Sequence, residues 1–550
     1  MKKFKFLIIS ISLFSFFLSG SEPDLNSRLA GLAKVWGFLK YHHPEVNKGD
    51  IDWDAELLAI IPDIKAADSF YGYNAAIDRL IDRAGGVRFF KSDLADISGQ
   101  ELDANFHWLE NESLFDWYNI QRLKMLKRPG FPHGNHYWVQ EDPNIGIISY
   151  RNELKYDSPA FPDEGHRLLA LFRYWNIIHY FYPYKDLIGS DWQEVLAEFI
   201  PRLIAVNYEL EYGLLIKELI NRINDSHSSS SSPILSEFFG IYYPPFEVRC
   251  IEDQTVVTVV FNDLPGVAGS VMVGDVITKL NGVDIKQRRR ELRPYVPASN
   301  EVTAERNIHS ILFKGEDKPF VITLNRDGQE LAVTLERFPY ETIQSEQNKR
   351  QPEKWTILPN NIGYIHMGVL QVQDVDSVME ALWGTKAIIF DVRNYPNGTY
   401  YWIQNKLNPA RIPFVKSTKP DLWNPGSFLS TRTFSVGPFT ANPNFYPGQV
   451  IVLLDERTQS HGEFTCMSLK TAPRATLIGS QTAGADGSVS YVYLPGNIKV
   501  YFTGTGIFYP DGSPTQRIGI VPDIEVRPTV AGILQGCDEV LEAAVNFIGK

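Results

Sequence analysis

The stretch Val450-Ile451-Val452-Leu453-Leu454-Asp455-Glu456-Arg457-Thr458-Gln459-Ser460-His461-Gly462-Glu463 joins two kinds of pattern. Residues 450–454 are a short unbroken apolar run, the mark of a strand buried on both faces. A polar turn follows, and residues 463–469 carry helix-type spacing. Ser460 stands where that helix begins. The amino end of a helix carries partial positive charge, and its unbonded N–H groups can hold a developing oxyanion. A serine there also caps the helix, and Glu463 three residues on completes a capping-box pattern. Residue types alone therefore leave Ser460 either a cap or a nucleophile.

The same alternation extends to both sides. Residues 362–367 and 387–390 read as strands with a helical segment, 375–383, between them, so the last 200 or so residues read as α/β. In such units functional groups gather at the carboxyl ends of the strands. Upstream, from about residue 242, the pattern is one of strands: the β-branched run 255–260, then Gly274-Asp275-Val276-Ile277 and Leu280-Asn281-Gly282-Val283. The Asn-Gly pair signals a tight turn. Strands are also expected at 319–324 and 331–335, and the polar stretch 344–354 reads as a linker.

The N-terminal part contains a repeat. Arg28, Trp36, Tyr41, Pro44, Asp52-Trp53, Leu57 and Pro62 recur as Arg167, Trp175, Tyr180, Pro183, Asp191-Trp192, Leu196 and Pro201, at one constant offset and without a gap. Apolar positions such as Leu168, Leu171, Trp175 and Ile178 fall at helical spacing, so each copy reads as a small helical unit. The copies part where the second continues into Asn224-Asp225-Ser226-His227 and the first into Gly85-Gly86-Val87-Arg88. His227 faces Arg88, which marks His227 as special to the second copy. The serine tract 228–232 reads as a low-complexity loop without chemistry.

Bulk properties narrow the class. A chain of 550 residues is too long for one core, and 44% hydrophobic with 21% charged residues is ordinary for a folded protein. A net charge of −12 argues against a nucleic-acid partner, and Arg288-Arg289-Arg290 reads as a solvated face. Lys2, Lys3 and Lys5 precede an apolar run ending in Ser19-Gly20-Ser21, the pattern of a secretory signal peptide. The expected product is exported, periplasmic or extracellular, with no integral span after cleavage; an uncleaved signal would hold it at a membrane. Cys250, Cys466 and Cys537 are too few for a disulfide framework. No metal-binding motif is present, and Pro132-His133-Gly134-Asn135-His136 reads as a loop.

Four segments then occur in a telling order. Asp391-Val392-Arg393-Asn394-Tyr395-Pro396-Asn397-Gly398, Thr458-Gln459-Ser460-His461-Gly462-Glu463, Gly479-Ser480-Gln481-Thr482-Ala483-Gly484 and Gly519-Ile520-Val521-Pro522-Asp523 resemble the signature segments of the tail-specific, or carboxyl-terminal processing, peptidases of family S41. The resemblance covers roughly residues 165–530. Together with the patterns above it gives a multidomain α+β chain: a signal peptide (1–20), an N-terminal domain with the first helical copy (21–150), the second copy (151–240) and a linker (341–355) from the residue patterns, and, as the resemblance implies, a PDZ-like β domain (241–340) and a C-terminal α/β catalytic domain of ClpP/crotonase-like fold (356–550).

The resemblance also implies roles. Ser460 would be the nucleophile. Many members use a lysine base just after the third segment; residues 482–488 contain none, so the chain is similar instead to the tricorn-like branch, in which Ser226-His227 supplies the base and a supporting hydroxyl. That branch has a glutamate before its closing segment, where this chain has Gln516; Asp511 and Asp486 are the fallback acids. Backbone amides of Gly398 and His461 would form the oxyanion hole, with Asn397 in place of a family glycine. His461 is a rival base by proximity, ranked below His227 because adjacent side chains at a helix start diverge. The chemistry needs neither cofactor nor metal, and its partners are protein or peptide substrates; the sequence leaves the peptide-binding residues and oligomeric state open. A peptide-binding protein that kept the fold and lost the chemistry is the second reading, and acyl-CoA chemistry on a crotonase-like fold the third.

Overall fold

The computed structural model describes residues 22–86, 100–102, 104–127, 136–142 and 147–549. The signal-peptide reading and residues Val87, Arg88 and His133 lie outside them.

Two sets of three helices build the N-terminal body: Leu25–His42, Trp53–Ala66 and Phe70–Arg83, then Glu164–Phe181, Trp192–Ala205 and Glu209–Asn221. In each set two tryptophans tie the first helix to the second by exchanging hydrogen bonds. Trp36 Nε1 donates to the Trp53 carbonyl at 2.9 Å and Trp53 Nε1 to the Trp36 carbonyl at 3.0 Å. Trp175 and Trp192 do the same at 2.7 and 3.0 Å. A buried indole needs an acceptor for its N–H, and this arrangement supplies four at once. The first helix of each set is apolar nearly all round and is buried accordingly. Between the sets lies a buried ionic cluster. Lys40 Nζ is 3.2 Å from Asp54 and 2.8 Å from Glu153, and Arg173 binds the same two carboxylates.

The middle body is an antiparallel sheet in the order Gln329–Leu335, Phe320–Arg326, Val276–Leu280, Gln254–Val260, Phe246–Ile251. Asn281 and Gly282 both have positive φ, the turn their pairing predicts. Phe246–Ile251 lies at the sheet edge, beside the helix Glu301–Ile311. The stretch read as a linker begins differently. Tyr340–Asn348 is a helix, and its Ile343 is buried in the core of this sheet. Ile343 anchors it there, helped by the Tyr340 ring against Tyr243 at 5.5 Å and by Gln347 donating to Glu247 at 2.8 Å, contacts that composition alone hid.

The C-terminal sheet runs Trp355–Leu358, Ile362–His366, Ala387–Asp391, Gln449–Leu454, Ala475–Gly479, Ile524–Glu525. Every neighbouring pair but the first is parallel. Apolar clusters cover both faces, which is why its central strands read as unbroken hydrophobic runs. Gly479 has φ +140°, and a Cβ there would lie 1.9 Å from the Leu454 carbonyl oxygen, so only glycine lets these strands end side by side.

The serine tract is not a loop. Ser229–Ser231 pairs antiparallel with Ile498–Thr503, which pairs with Val489–Leu494. The hairpin's Val492, Leu494, Ile498, Val500 and Phe502 are buried in the core of the helical body. A segment from the last third of the chain is thereby lodged among the helices, where it meets the residues around His227.

Candidate active site

The turn after Gln449–Leu454 is built around Asp455. Burial pushes its carboxyl up, and Arg457 and Arg249, at 2.7 and 3.1 Å, more than offset this and hold it at about 2. Ser460 then opens the helix His461–Leu469 with φ +56° and ψ −120°. A residue with a side chain held there stores about 1–3 kcal/mol of backbone strain. What holds it is visible. The Ser460 N–H donates to the Ala485 carbonyl at 2.9 Å and to Glu463 Oε2 at 3.2 Å. Glu463 is fully buried and also accepts from the Gly484 and Ala485 amides, at 2.8 and 3.0 Å, and from the Thr482 hydroxyl. Burial raises the Glu463 pKa against these donors. The capping-box pattern is thus present, and it coexists with a strained serine rather than replacing it.

His227 lies beside this turn. Gln459, the residue before Ser460, donates its side-chain amide to the carbonyl of Ser226, the residue before His227, at 3.3 Å. Arg306 braces Gln459 at 2.6 Å and the Glu456 carbonyl at 2.7 Å. The imidazole Nδ1 is 2.9 Å from Thr503 Oγ1, and that hydroxyl donates to Asp225 Oδ1 at 2.9 Å. A hydroxyl has one proton, so a Thr503 that donates to Asp225 must accept from Nδ1–H. The network therefore assigns the proton to Nδ1 and leaves Nε2 with a free lone pair. Burial lowers the His227 pKa, Asp225 raises it and Arg306 lowers it; the net shift is down, so the ring is neutral at pH 7.

Asp225 is fully buried and well supplied with donors: Thr503 N at 2.7 Å, the Thr503 hydroxyl, and His227 N at 3.0 Å. Gln516 is found here as well, not on the imidazole. Its Nε2 lies 3.4 Å from Asp225 Oδ1, 3.3 Å from the Tyr182 hydroxyl and 3.4 Å from Ser299 Oγ. An amide can donate to Asp225, whereas a carboxylate at 516 would place a second negative charge beside it. The Ser226 hydroxyl likewise does not touch the ring: it donates to the Ala483 carbonyl at 3.0 Å and accepts from Ser299 N at 2.8 Å. Neither fallback acid bonds to His227. Asp511 is exposed in a turn with Ser513, and Asp486, buried beside Glu463, has its pKa pushed far up by burial and by that neighbour.

Gly398 follows the adjacent strand Ala387–Asp391 and has φ +73°. A Cβ there would lie 3.8 Å from His461 Nε2, so the Gly398 loop lies against the start of the helix that carries the other expected oxyanion donor. Asn397 pins its loop by donating to the Gly368 and Leu370 carbonyls at 2.8 and 3.1 Å. The His461 ring packs edge-on against Tyr400 at 5.6 Å and stacks near Phe464 at 6.3 Å, which places the rival base in an aromatic wall.

Two residues to which the sequence reading gave no role, Asp225 and Thr503, complete the chain behind the imidazole. Asp225 stands two positions before His227, a detectable signal. Thr503 is 276 positions away and carries none.

A cleft of about 870 Å³ separates the edge strand Phe246–Ile251 and the helix Glu301–Ile311 from the nucleophile turn, with Glu456, Arg457 and Ser480 in its wall. Cys250, Glu305 and His309 also line it and have ligand-type atoms within 4.8 Å of one another. Arg289 already lies among them, 2.7 Å from Glu305 and 3.6 Å from Cys250 Sγ.

Residues 361–526 match peptidase family S41. The chain is 26% identical over 293 residues to a carboxy-terminal-processing protease of Bartonella bacilliformis, covering 51% of this chain and 60% of that one. It is 24% identical over 286 residues to a carboxyl-terminal-processing protease of Synechocystis sp., covering 50% and 60%. The chain thus spans about 60% of the length of these relatives. Among solved structures, mature CPAF complexed with lactacystin superposes with a TM-score of 0.54 at 14% identity, covering 70% of this chain and 99% of that one, a likeness of fold. Sequence match, sheet topology and the serine at its strand-to-helix turn converge: residues 361–526 form a peptidase family S41 domain.

Proposed function

We propose that this chain is an exported serine endopeptidase acting on unfolded or carboxyl-terminally recognised protein segments. The observation that carries the reading is the chain His227–Thr503–Asp225, held beside the strained Ser460 turn by the Gln459–Ser226 bond. Ser460 attacks the peptide carbonyl, and His227 Nε2 takes its proton. Thr503 and Asp225 orient the ring and favour the imidazolium that forms. The oxyanion is received by the amides of Gly398 and His461, each such donor being worth about 10²–10³ in rate. His227 returns the proton to the leaving amine, and water releases the acyl group. Ser226 and Gln516 act one step back, the first fixing the loop and the second donating to Asp225.

We read the helical sets as copies of one unit, and the middle body as a PDZ-like module whose edge strand Phe246–Ile251 takes up peptide by strand addition. Export rests on the basic and apolar start of the chain. No helix among the described residues is long and apolar enough to cross a membrane.

The test is labelling with a fluorophosphonate probe. Wild-type protein reacts, Ser460→Ala does not, His227→Ala reacts far more slowly, and hydrolysis of an unfolded substrate falls in parallel. Intact folded protein that takes no label supports the binding-protein reading instead; Ser460→Ala labelled as fast as wild type removes Ser460 as nucleophile.

A further inference from the structure

A second cleft, of about 690 Å³, lies between the second helical set and the middle body. Lys217, Ser230, Leu235, Phe239, Tyr242 and Lys314 are among its lining residues. Among the described residues Lys217 has no acid partner; its neighbour is the Phe239 ring, 5.3 Å from Nζ. Burial, with nothing to offset it, pulls its pKa down to about 8. Lys314 lies over the Tyr243 ring at 4.3 Å and donates to that hydroxyl at 3.1 Å. The Ser230 hydroxyl is buried without a partner. Glu341 stands exposed on the rim. An uncompensated amine, a second cation, an orphaned hydroxyl and an apolar lining together suit a carboxylate borne on an apolar group.

The backbone indicates which carboxylate. Ser229–Ser231 is the edge strand of its sheet, and its far end, Ser230 and Ser231, lines this cleft. Toward the N-terminus the same segment leads through Ser228 to His227. Ser231 is four positions from His227, about 13 Å at 3.3 Å per residue. We infer that this cleft receives the terminal carboxylate of an extended peptide whose main chain runs along the Ser229–Ser231 edge, its last side chain resting among Leu235, Phe239 and Tyr242. The bond presented to Ser460 then lies roughly four residues from the peptide's end. This subsite rests on the peptidase reading and is separate from the groove beside Phe246–Ile251.

The experiment uses full-length Ser460→Ala protein, so that binding is read without turnover. A fluorescent hexapeptide ending in phenylalanine is compared as free acid and as carboxyl-terminal amide by anisotropy, with 3-phenylpropionate as a small-acid control. The free acid is expected to bind at least tenfold more tightly than the amide. Lys217→Met, which keeps the apolar stem, should bring the two within twofold, Lys217→Arg should keep most of the preference, and Lys314→Met should reduce it. Circular dichroism checks the fold of each variant. Equal binding of acid and amide overturns the proposal. So does a preference that survives both methionine variants, since the carboxylate is then held elsewhere, and so does 3-phenylpropionate binding as tightly as the peptide. Fluorophosphonate labelling of wild-type protein, read separately, tells failure of this subsite from failure of the peptidase reading.

Discussion

Replacing Thr503 by valine keeps the size and branching of the side chain and removes one hydroxyl. Two hydrogen bonds go with it, one from His227 Nδ1 and one to Asp225, both 2.9 Å long. Asp225 keeps the Thr503 and His227 amides as donors, at 2.7 and 3.0 Å, so the buried carboxylate is not stranded. The loss of a bond to a charged group sets the stability cost at about 1.5–3 kcal/mol. The imidazole fares worse. With nothing fixing the proton on Nδ1, the other tautomer becomes available and Asp225 no longer reaches the ring through a hydroxyl. Amide substitution of the directly bonded acid in a serine triad costs about 10⁴ in kcat. Here the acid acts at one remove, so a fall of about 10²–10³ in kcat/KM is expected, with Thr503→Ser recovering most of it by restoring the hydroxyl.

The pH profile adds an independent readout. The folded-state pKa of His227 is depressed, so the ring is neutral and active above it, and activity is lost as pH falls through a midpoint below 6.5. Asp225 raises that pKa by favouring the imidazolium, and Thr503→Val weakens this influence, so the acid limb should move to lower pH. The assays are the rate of fluorophosphonate labelling and the pH dependence of peptide hydrolysis, with circular dichroism as a fold check. A folded Thr503→Val protein that labels within threefold of wild type, with an unmoved acid limb, refutes the relay.

Two further outcomes follow from the same structure. Ser460→Gly relieves a backbone conformation that favours glycine and forfeits a cap at a cost of only a few tenths of a kcal/mol, so the inactive protein should be more stable by about 1–2 kcal/mol in denaturant unfolding; no change in midpoint would mean the turn is unstrained. Lys40→Met leaves Asp54 and Glu153 buried with Arg173 alone, at an expected cost of about 3–5 kcal/mol. Burial raises the Asp54 pKa, but Lys40 and Arg173 hold it below 3.8, so the stability the cluster lends is present above that pH and lost as pH falls below it. The penalty in Lys40→Met should accordingly shrink in acid, and an equal penalty at pH 3 and pH 7 would contradict this.

The readings that came from the chain alone were those with a local cause. The apolar run 450–454 must be buried on both faces, and the sheet does bury it. Asn281-Gly282 makes the turn that its two positive φ values require. Three of the four signature segments follow adjacent parallel strands, at the carboxyl ends where a βαβ unit gathers its functional loops, and the fourth, 519–523, leads into the last strand. The serine tract and the helix Tyr340–Asn348 were misjudged because composition says nothing of a pairing partner 268–272 positions away, or of an isoleucine reaching a core.

The site divides the same way. Ser460, His227, Gly398 and His461 could be proposed because short segments of this chain resemble those of a known family, and such segments are matters of neighbouring residues. The group that orients the imidazole could not. It depends on a hairpin near the end of the chain being buried among helices near its start, where Thr503 meets Asp225 and His227. Burial in that core fixes the hydroxyl in place, and no pattern along the sequence encodes which distant side chain arrives there.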